Sequence, residues 1–215
     1  MKLIVPTLAL VTAVAALPQT ASTRPPSFNI TDVVSGGTGC PQGSIDVRWT
    51  DDAVLPIYFG KEFTAAVGPK VEIAESRKFC QLNLQLEYSA GYSFAVYNAQ
   101  YAGYAQLDGG VTGTVRSNYY FSGEADQASS SFTLSGPTKA KFKEQDAVGV
   151  AVWSPCSGSA LFNVQASVAL TPLGGPANGV LGITKESGQL SSNLPLRFFS
   201  GGQIALLAAV KIAVT

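Results

Sequence analysis

An all-β fold, an antiparallel β-sandwich of jelly-roll or Greek-key type, is what this 215-residue chain predicts. Three observations carry that expectation. Apolar and polar residues alternate in several separate runs, most cleanly with Leu82, Leu84, Leu86 and Tyr88 against Gln81, Asn83, Gln85 and Glu87. A period of two describes a strand with one dry and one wet face. Glycine and proline number 22 and 12, which suits many short strands joined by turns, and no stretch has a helical period.

Taken in order, residues 1–16 (MKLIVPTLALVTAVAA) place one lysine before an apolar run too short to span a bilayer, ending in small residues. That is the pattern of a secretory signal peptide, cut after Ala15 or Ala16. Residues 17–32 are rich in proline, serine and threonine and read as a flexible N-terminal arm, which carries the one glycosylation sequon at Asn29. The sandwich is expected over residues 33–198. Ile45 to Thr50 and Leu55 to Phe59 form a hairpin about a turn at Asp51-Asp52, and Phe63 to Val67 is ambiguous. Strands follow from Cys80 to Tyr88, from Tyr92 to Val96 and around Val111 and Val115. Ser122 to Ser131 reads as a polar loop before a strand at Phe132 to Leu134. Lys139, Lys141 and Lys143 share one face of a strand, as a guarded sheet edge or as a patch for an acidic polymer. Val148 to Val152 and Phe162 to Leu170 complete the set. Residues 199–215 are an atypical apolar tail. Its small residues at 200–202 hint at a lipid-anchor signal, but the polar spacer is missing and Lys211 interrupts the run.

Composition excludes several functions. Basic and acidic residues balance at 14 each, so no field of one sign favours nucleic acid or an anionic membrane, and no stable membrane association is expected. There is no histidine, which removes histidine triads, histidine zinc sites and histidine pH switches together. No cofactor is implied. Export into an oxidising compartment makes Cys40, Cys80 and Cys156 disulfide candidates, with Cys40–Cys80 preferred and Cys40–Cys156 the alternative. An odd count leaves one thiol over.

Candidate chemistry is thin. Seven of the eight tyrosines fall between Tyr88 and Tyr120. Tyr97 and Tyr104 sit on the wetter parity, where they could offer an aromatic platform for sugar rings; ordinary cross-strand packing is the competing account. Trp49 and Trp153 read as core or rim. A glycan-cleaving pair of carboxylates must face each other across roughly 5 to 9.5 Å, and Glu87 and Asp108 are the least poor members. Asp46, Asp51, Asp52 and Asp108 lack a calcium-loop spacing, so no metal site is assigned. Ser154 and Ser157 lack a histidine base.

Several motifs in order resemble a known family: Gly39-Cys40-Pro41, Phe63-Thr64-Ala65-Ala66-Val67-Gly68-Pro69, Lys78-Phe79-Cys80-Gln81-Leu82-Asn83-Leu84, Gly103-Tyr104-Ala105-Gln106-Leu107-Asp108, Tyr119-Tyr120-Phe121-Ser122-Gly123 and Trp153-Ser154-Pro155-Cys156. Over roughly residues 36 to 172 the chain is similar to the family called domain of unknown function 4360, small secreted proteins of filamentous fungi and actinobacteria. The resemblance implies a secreted β-rich domain and carries over no catalytic or binding residue. Members usually end in a strand with a Trp-x-x-Cys-like motif. Here the corresponding NLPLRF (193–198) runs into the tail without tryptophan or cysteine, which leaves Cys156 without that partner.

Function is therefore expected at the level of class. The leading expectation is a secreted, non-enzymatic β-sandwich that binds a cell-wall polysaccharide or an extracellular protein, with an effector-like role if the source is fungal. A carboxylate-based glycan hydrolase and a structural cell-wall protein are the alternatives.

Overall fold

The structure, a computed structural model, describes residues 25, 27–50, 53–182 and 191–200, with residues 97, 147–151 and 191–200 described by backbone alone. The expected signal peptide, the Asp51-Asp52 turn and the tail beyond residue 200 lie outside the described residues. Within them are twelve strands and a single 3-10 turn. One sheet has five strands in the order β1 (Phe28–Gly36), β5 (Arg77–Tyr88), β10 (Ser159–Thr171), β7 (Thr112–Phe121) and β8 (Gln127–Ser135). The other is built around β6 (Tyr92–Leu107), a 16-residue strand. On one edge of β6 lie β12 (Ser191–Ser200) and β11 (Gly179–Gly182), which lead out to β3 (Val54–Tyr58) with β2 (Asp46–Val47) and to β4 (Ala65–Val67). On its other edge lies β9 (Thr138–Trp153). All described ladders are antiparallel, and the chain crosses repeatedly between sheets, as in a Greek key.

The alternation in the sequence explains which faces meet. Leu82, Leu84 and Leu86 of β5, Phe162, Val164 and Val168 of β10, and Val115, Tyr119 and Phe121 of β7 are buried in one continuous core. Phe94, Val96, Ala99, Tyr101, Ala105 and Leu107 enter that core from β6. Aromatic edges mesh across the gap: Phe94 meets Phe121 and Tyr88, each at 5.3 Å between ring centroids in T-shaped geometry, an arrangement favoured by the ring quadrupoles. The parity of β6 changes between Val96 and Ala99, because its register against β9 slips between Val96 and Asn98. A β-bulge of this kind shifts the inward set by one residue.

Three expectations need correction. Residues 28–32 are not part of a flexible arm: β1 begins at Phe28, which is 7% exposed and stacks on Trp49 at 4.1 Å. The register of β1 slips between Ile30 and Asp32, so Ile30 and Val33 both lean on the core and the period of two is broken there. The polar loop is shorter than expected, since β8 begins at Gln127 and pairs with Tyr120 through serines that turn to solvent at alternate positions. The two strands expected at 139–143 and 148–152 are one strand, β9.

Cys40 and Cys80 form a disulfide with 5.3 Å between Cα atoms, as preferred, and Cys156 is an exposed free thiol. The bridge fastens the link after β1 to the first few residues of β5, the strand beside it, and both cysteines are buried.

Candidate functional site

Most of the polar residues that alternate with the core come together on the outer face of the five-stranded sheet. Because β5, β10 and β7 are adjacent and in fixed register, their wet positions line up in rows. One row runs Val34, Asn83, Asn163, Tyr120 and Gln127; the next runs Gly36, Gln81, Gln165, Asn118 and Ser129. A third brings Phe79, Ser167, Arg116 and Ser131 together, and Gln85 faces Leu161 beyond the first row. Cross-strand neighbours of this kind have Cβ atoms about 5 Å apart. The amide-bearing centre therefore spans about 10 Å across the strands and about 13 Å along them.

The amides divide into two sets. Asn163 is only 2% exposed and accepts from the Asn83 side-chain nitrogen while donating to the Ser122 hydroxyl at 3.0 Å and the Leu161 carbonyl at 3.2 Å. It is spent on holding the face together. Gln85, Gln165 and Asn118 are half-buried and carry no side-chain hydrogen bond to another described residue. Each has one acceptor and two N–H donors to offer. Phe79, 36% exposed, and half-buried Tyr120 supply aromatic surface beside them. Arg116 is the one charge inside these rows; Arg77 and Glu87 stand towards opposite ends.

The residues singled out from sequence fare differently. Tyr104 is not part of an exposed platform: it is 5% exposed, on the outward parity of β6 opposite Lys141. Tyr97 lies where β6 is irregular, and its side chain is outside the described residues. Trp49 packs at the core margin as expected. Glu87 and Asp108 do not converge. Glu87 pairs with Ser159 at the start of β10, whereas the Asp108 carbonyl approaches Gly136, beyond the end where Thr112 meets Thr171. The length of β10 separates those ends by more than about 30 Å. No general acid and base act together at that distance, so this assignment fails.

Asp108 has another task. Its Oδ2 accepts from the Asn178 backbone N–H at 2.7 Å and from the Asn178 side chain at 3.1 Å. Those bonds, the backbone one foremost, hold its carboxyl below the ordinary value. Ser154 is likewise structural: its hydroxyl accepts from the Phe94 N–H at 3.0 Å, and its own N–H donates to the Phe94 carbonyl at 2.8 Å. Among the described residues no group of three or more His, Cys, Asp or Glu is placed to hold a metal, and no helix is long and apolar enough to cross a membrane. Asn29 is exposed on β1 opposite Glu87.

Two depressions open to solvent on the described surface, about 460 and 220 Å3, both touch β9. The described residues form an antiparallel β-sandwich with a broad amide-lined sheet face. The chain belongs to the family described as "Domain of unknown function (DUF4360)", whose model matches residues 26–198. It is 40% identical over 159 residues to an "uncharacterized secreted protein" of Arthroderma benhamiae (strain ATCC MYA-4681 / CBS 112371), which covers 73% of this chain. The chain spans 65% of that relative's length. The relative's secretion and the buried disulfide both support export of this chain. Among solved structures it is similar to TmCBM61 in complex with beta-1,4-galactotriose, at 9% identity and a TM-score of 0.21, covering 80% of this chain and 90% of that one; a likeness of that order bears on no ligand here.

Proposed function

We propose that the protein is a secreted, non-catalytic binding protein whose five-stranded sheet holds a neutral cell-wall polysaccharide across its outer face. The observation that carries this reading is the alignment of Gln81, Gln165 and Asn118 in one cross-strand row beside Asn83, Asn163 and Tyr120 in the next. Amides both donate and accept, so they match hydroxyl groups that do the same. Aromatic faces at Phe79 and Tyr120 cover the apolar side of a sugar ring. A flat, open face suits an extended polymer, where a small ligand would need a concave pocket that buries most of its surface.

The test is a pull-down of the secreted protein on insoluble chitin, β-glucan and cellulose, with released sugars assayed in the supernatant. Retention on at least one polymer without sugar release is expected. Asn118→Ala with Gln165→Ala weakens retention about tenfold or more, because each lost hydrogen bond to a ligand contributes about 0.5–1.5 kcal/mol and tenfold is about 1.4 kcal/mol. Sugar release would return a hydrolase to first place, at residues other than the Glu87 and Asp108 pair. No retention on any of them would turn the search to a protein partner.

The exposed thiol of Cys156 favours a second reading, a structural wall protein held by cross-linking. Reductant-dependent release of the protein from wall material would support it. An N-glycan at Asn29 would stand at the Glu87 corner of the amide face, clear of its central rows.

A further inference from the structure

The opposite sheet carries a second, chemically different face. Along β6 and β9, Gln106 pairs with Lys139, Tyr104 with Lys141, Ala102 with Lys143 and Gln100 with Gln145. The intervening Phe142 packs against the core and meets Phe132 in a tilted contact, 5.5 Å between ring centroids. The three lysines therefore project from the outer side of the sheet, and all three are exposed. Their Cα atoms are roughly 6.7 Å apart along the strand. Among the described residues none of them has an ion-pair partner. Glu144 and Asp146 have the other parity, and Asp146 accepts from the Ser131 N–H at 2.8 Å.

A guarded sheet edge accounts for some of this, because β9 pairs only with β6 among the described strands. It does not account for what surrounds the lysines. Gln106 and Lys139 line the 460 Å3 depression, and Gln100, Lys143, Glu144 and Gln145 line the 220 Å3 one, where Glu144 is exposed and belongs to the other parity of β9. Each depression thus joins an ammonium group to at least one amide. Asp108 also lines the first, with its carboxylate turned to Asn178. The balanced charge of the chain makes three cations in one row, none of them in an ion pair among the described residues, a local feature. Three are too few for the dense charge of a nucleic acid, where affinity is set by many neutralised phosphates. They suit a polymer with one spaced negative charge per unit and hydroxyls between.

We propose that the outer face of β6 and β9 binds a carboxylate-bearing polysaccharide, with Lys139, Lys141 and Lys143 on the carboxylates and Gln100 and Gln106 on the hydroxyls. This site is separate from the amide face of the other sheet and stands or falls independently of it.

Affinity electrophoresis of the full secreted chain through polygalacturonate, its methyl-esterified form and heparin tests the proposal. Retardation by polygalacturonate, and loss of most of it on esterification, is expected. The triple variant Lys139→Gln, Lys141→Gln, Lys143→Gln should lose at least tenfold in affinity, whereas the matching triple Lys→Arg variant keeps it. Affinity should fall with salt, with a log–log slope of about −2 for three contacts. Asn118→Ala with Gln165→Ala should leave retardation unchanged, which separates this site from the one above. Equal binding to the ester, binding to heparin alone, unchanged binding in the Gln variant with a native melting curve, or no retardation at low salt would each overturn it.

Discussion

The Asp108 carboxylate takes both the backbone and the side-chain N–H groups of Asn178, and its pKa is lowered from the ordinary 3.8 as a result. A carboxyl depressed in the folded state contributes stability that is present above its unfolded value and is lost as pH falls through the folded one. Asp108→Ala should therefore be less stable than the parent near neutrality, and the difference should shrink as pH falls through the lowered pKa of Asp108. A chemical denaturation series against pH checks this; a difference that persists in acid would mean the clamp is not the cause. The buried hydroxyls behave in the opposite sense. Tyr119 bonds Tyr101 at 3.0 Å, Tyr101 also bonds Ser130, and burial raises both phenols, Tyr119 well above 10. Groups raised in this way contribute stability that is complete below their unfolded value and lost above it. Ionisation of these two tyrosines should appear, by ultraviolet absorbance in rising alkali, only together with unfolding. Tyr101→Phe, which leaves Tyr119 and Ser130 without that partner, should cost about 1–3 kcal/mol.

At the scale of elements, the link between β1 and β5 and the turn between β8 and β9 are the most exacting. The Cys40–Cys80 bridge closes a separation of 40 residues, and chain entropy puts its contribution at about 4 kcal/mol or less. Alkylation without reduction should label one cysteine, Cys156, and Cys40→Ala with Cys80→Ala should lower the urea midpoint accordingly. Gly136 accepts no side chain, because a Cβ there would collide with the Asp108 carbonyl; Gly136→Ala should cost about 1–3 kcal/mol. These elements also mark how far the sequence could be read. The strand at Leu82 to Tyr88 was legible because its period is unbroken from Cys80 to Tyr88. The first strand was hidden by its slip between Ile30 and Asp32 and by the prolines before it. The full length of β9 was hidden because its own register against β6 slips between Ala147 and Val152, which splits its pattern into two runs. Tyr104 has the parity of an outward residue yet is 5% exposed, so parity located its face and not its accessibility. The amides were visible as wet positions on separate strands. That β5, β10 and β7 stand side by side is a fact of long-range pairing, which local periodicity does not encode.

For the whole molecule, the two sheets share one core and turn two unlike faces to solvent. One is uncharged at its centre, with amides and aromatics in register; the other carries a row of lysines over glutamines. If both proposed sites hold, the protein bridges a neutral and an acidic polymer in the same matrix. The measurement that decides the central claim is retention on insoluble neutral glycan of three proteins side by side: the parent, the Asn118→Ala and Gln165→Ala variant, and the triple lysine-to-glutamine variant. The account predicts retention of the parent and the lysine variant, with at least a tenfold loss in the amide variant. Equal retention of all three, at equal folded stability, would contradict it.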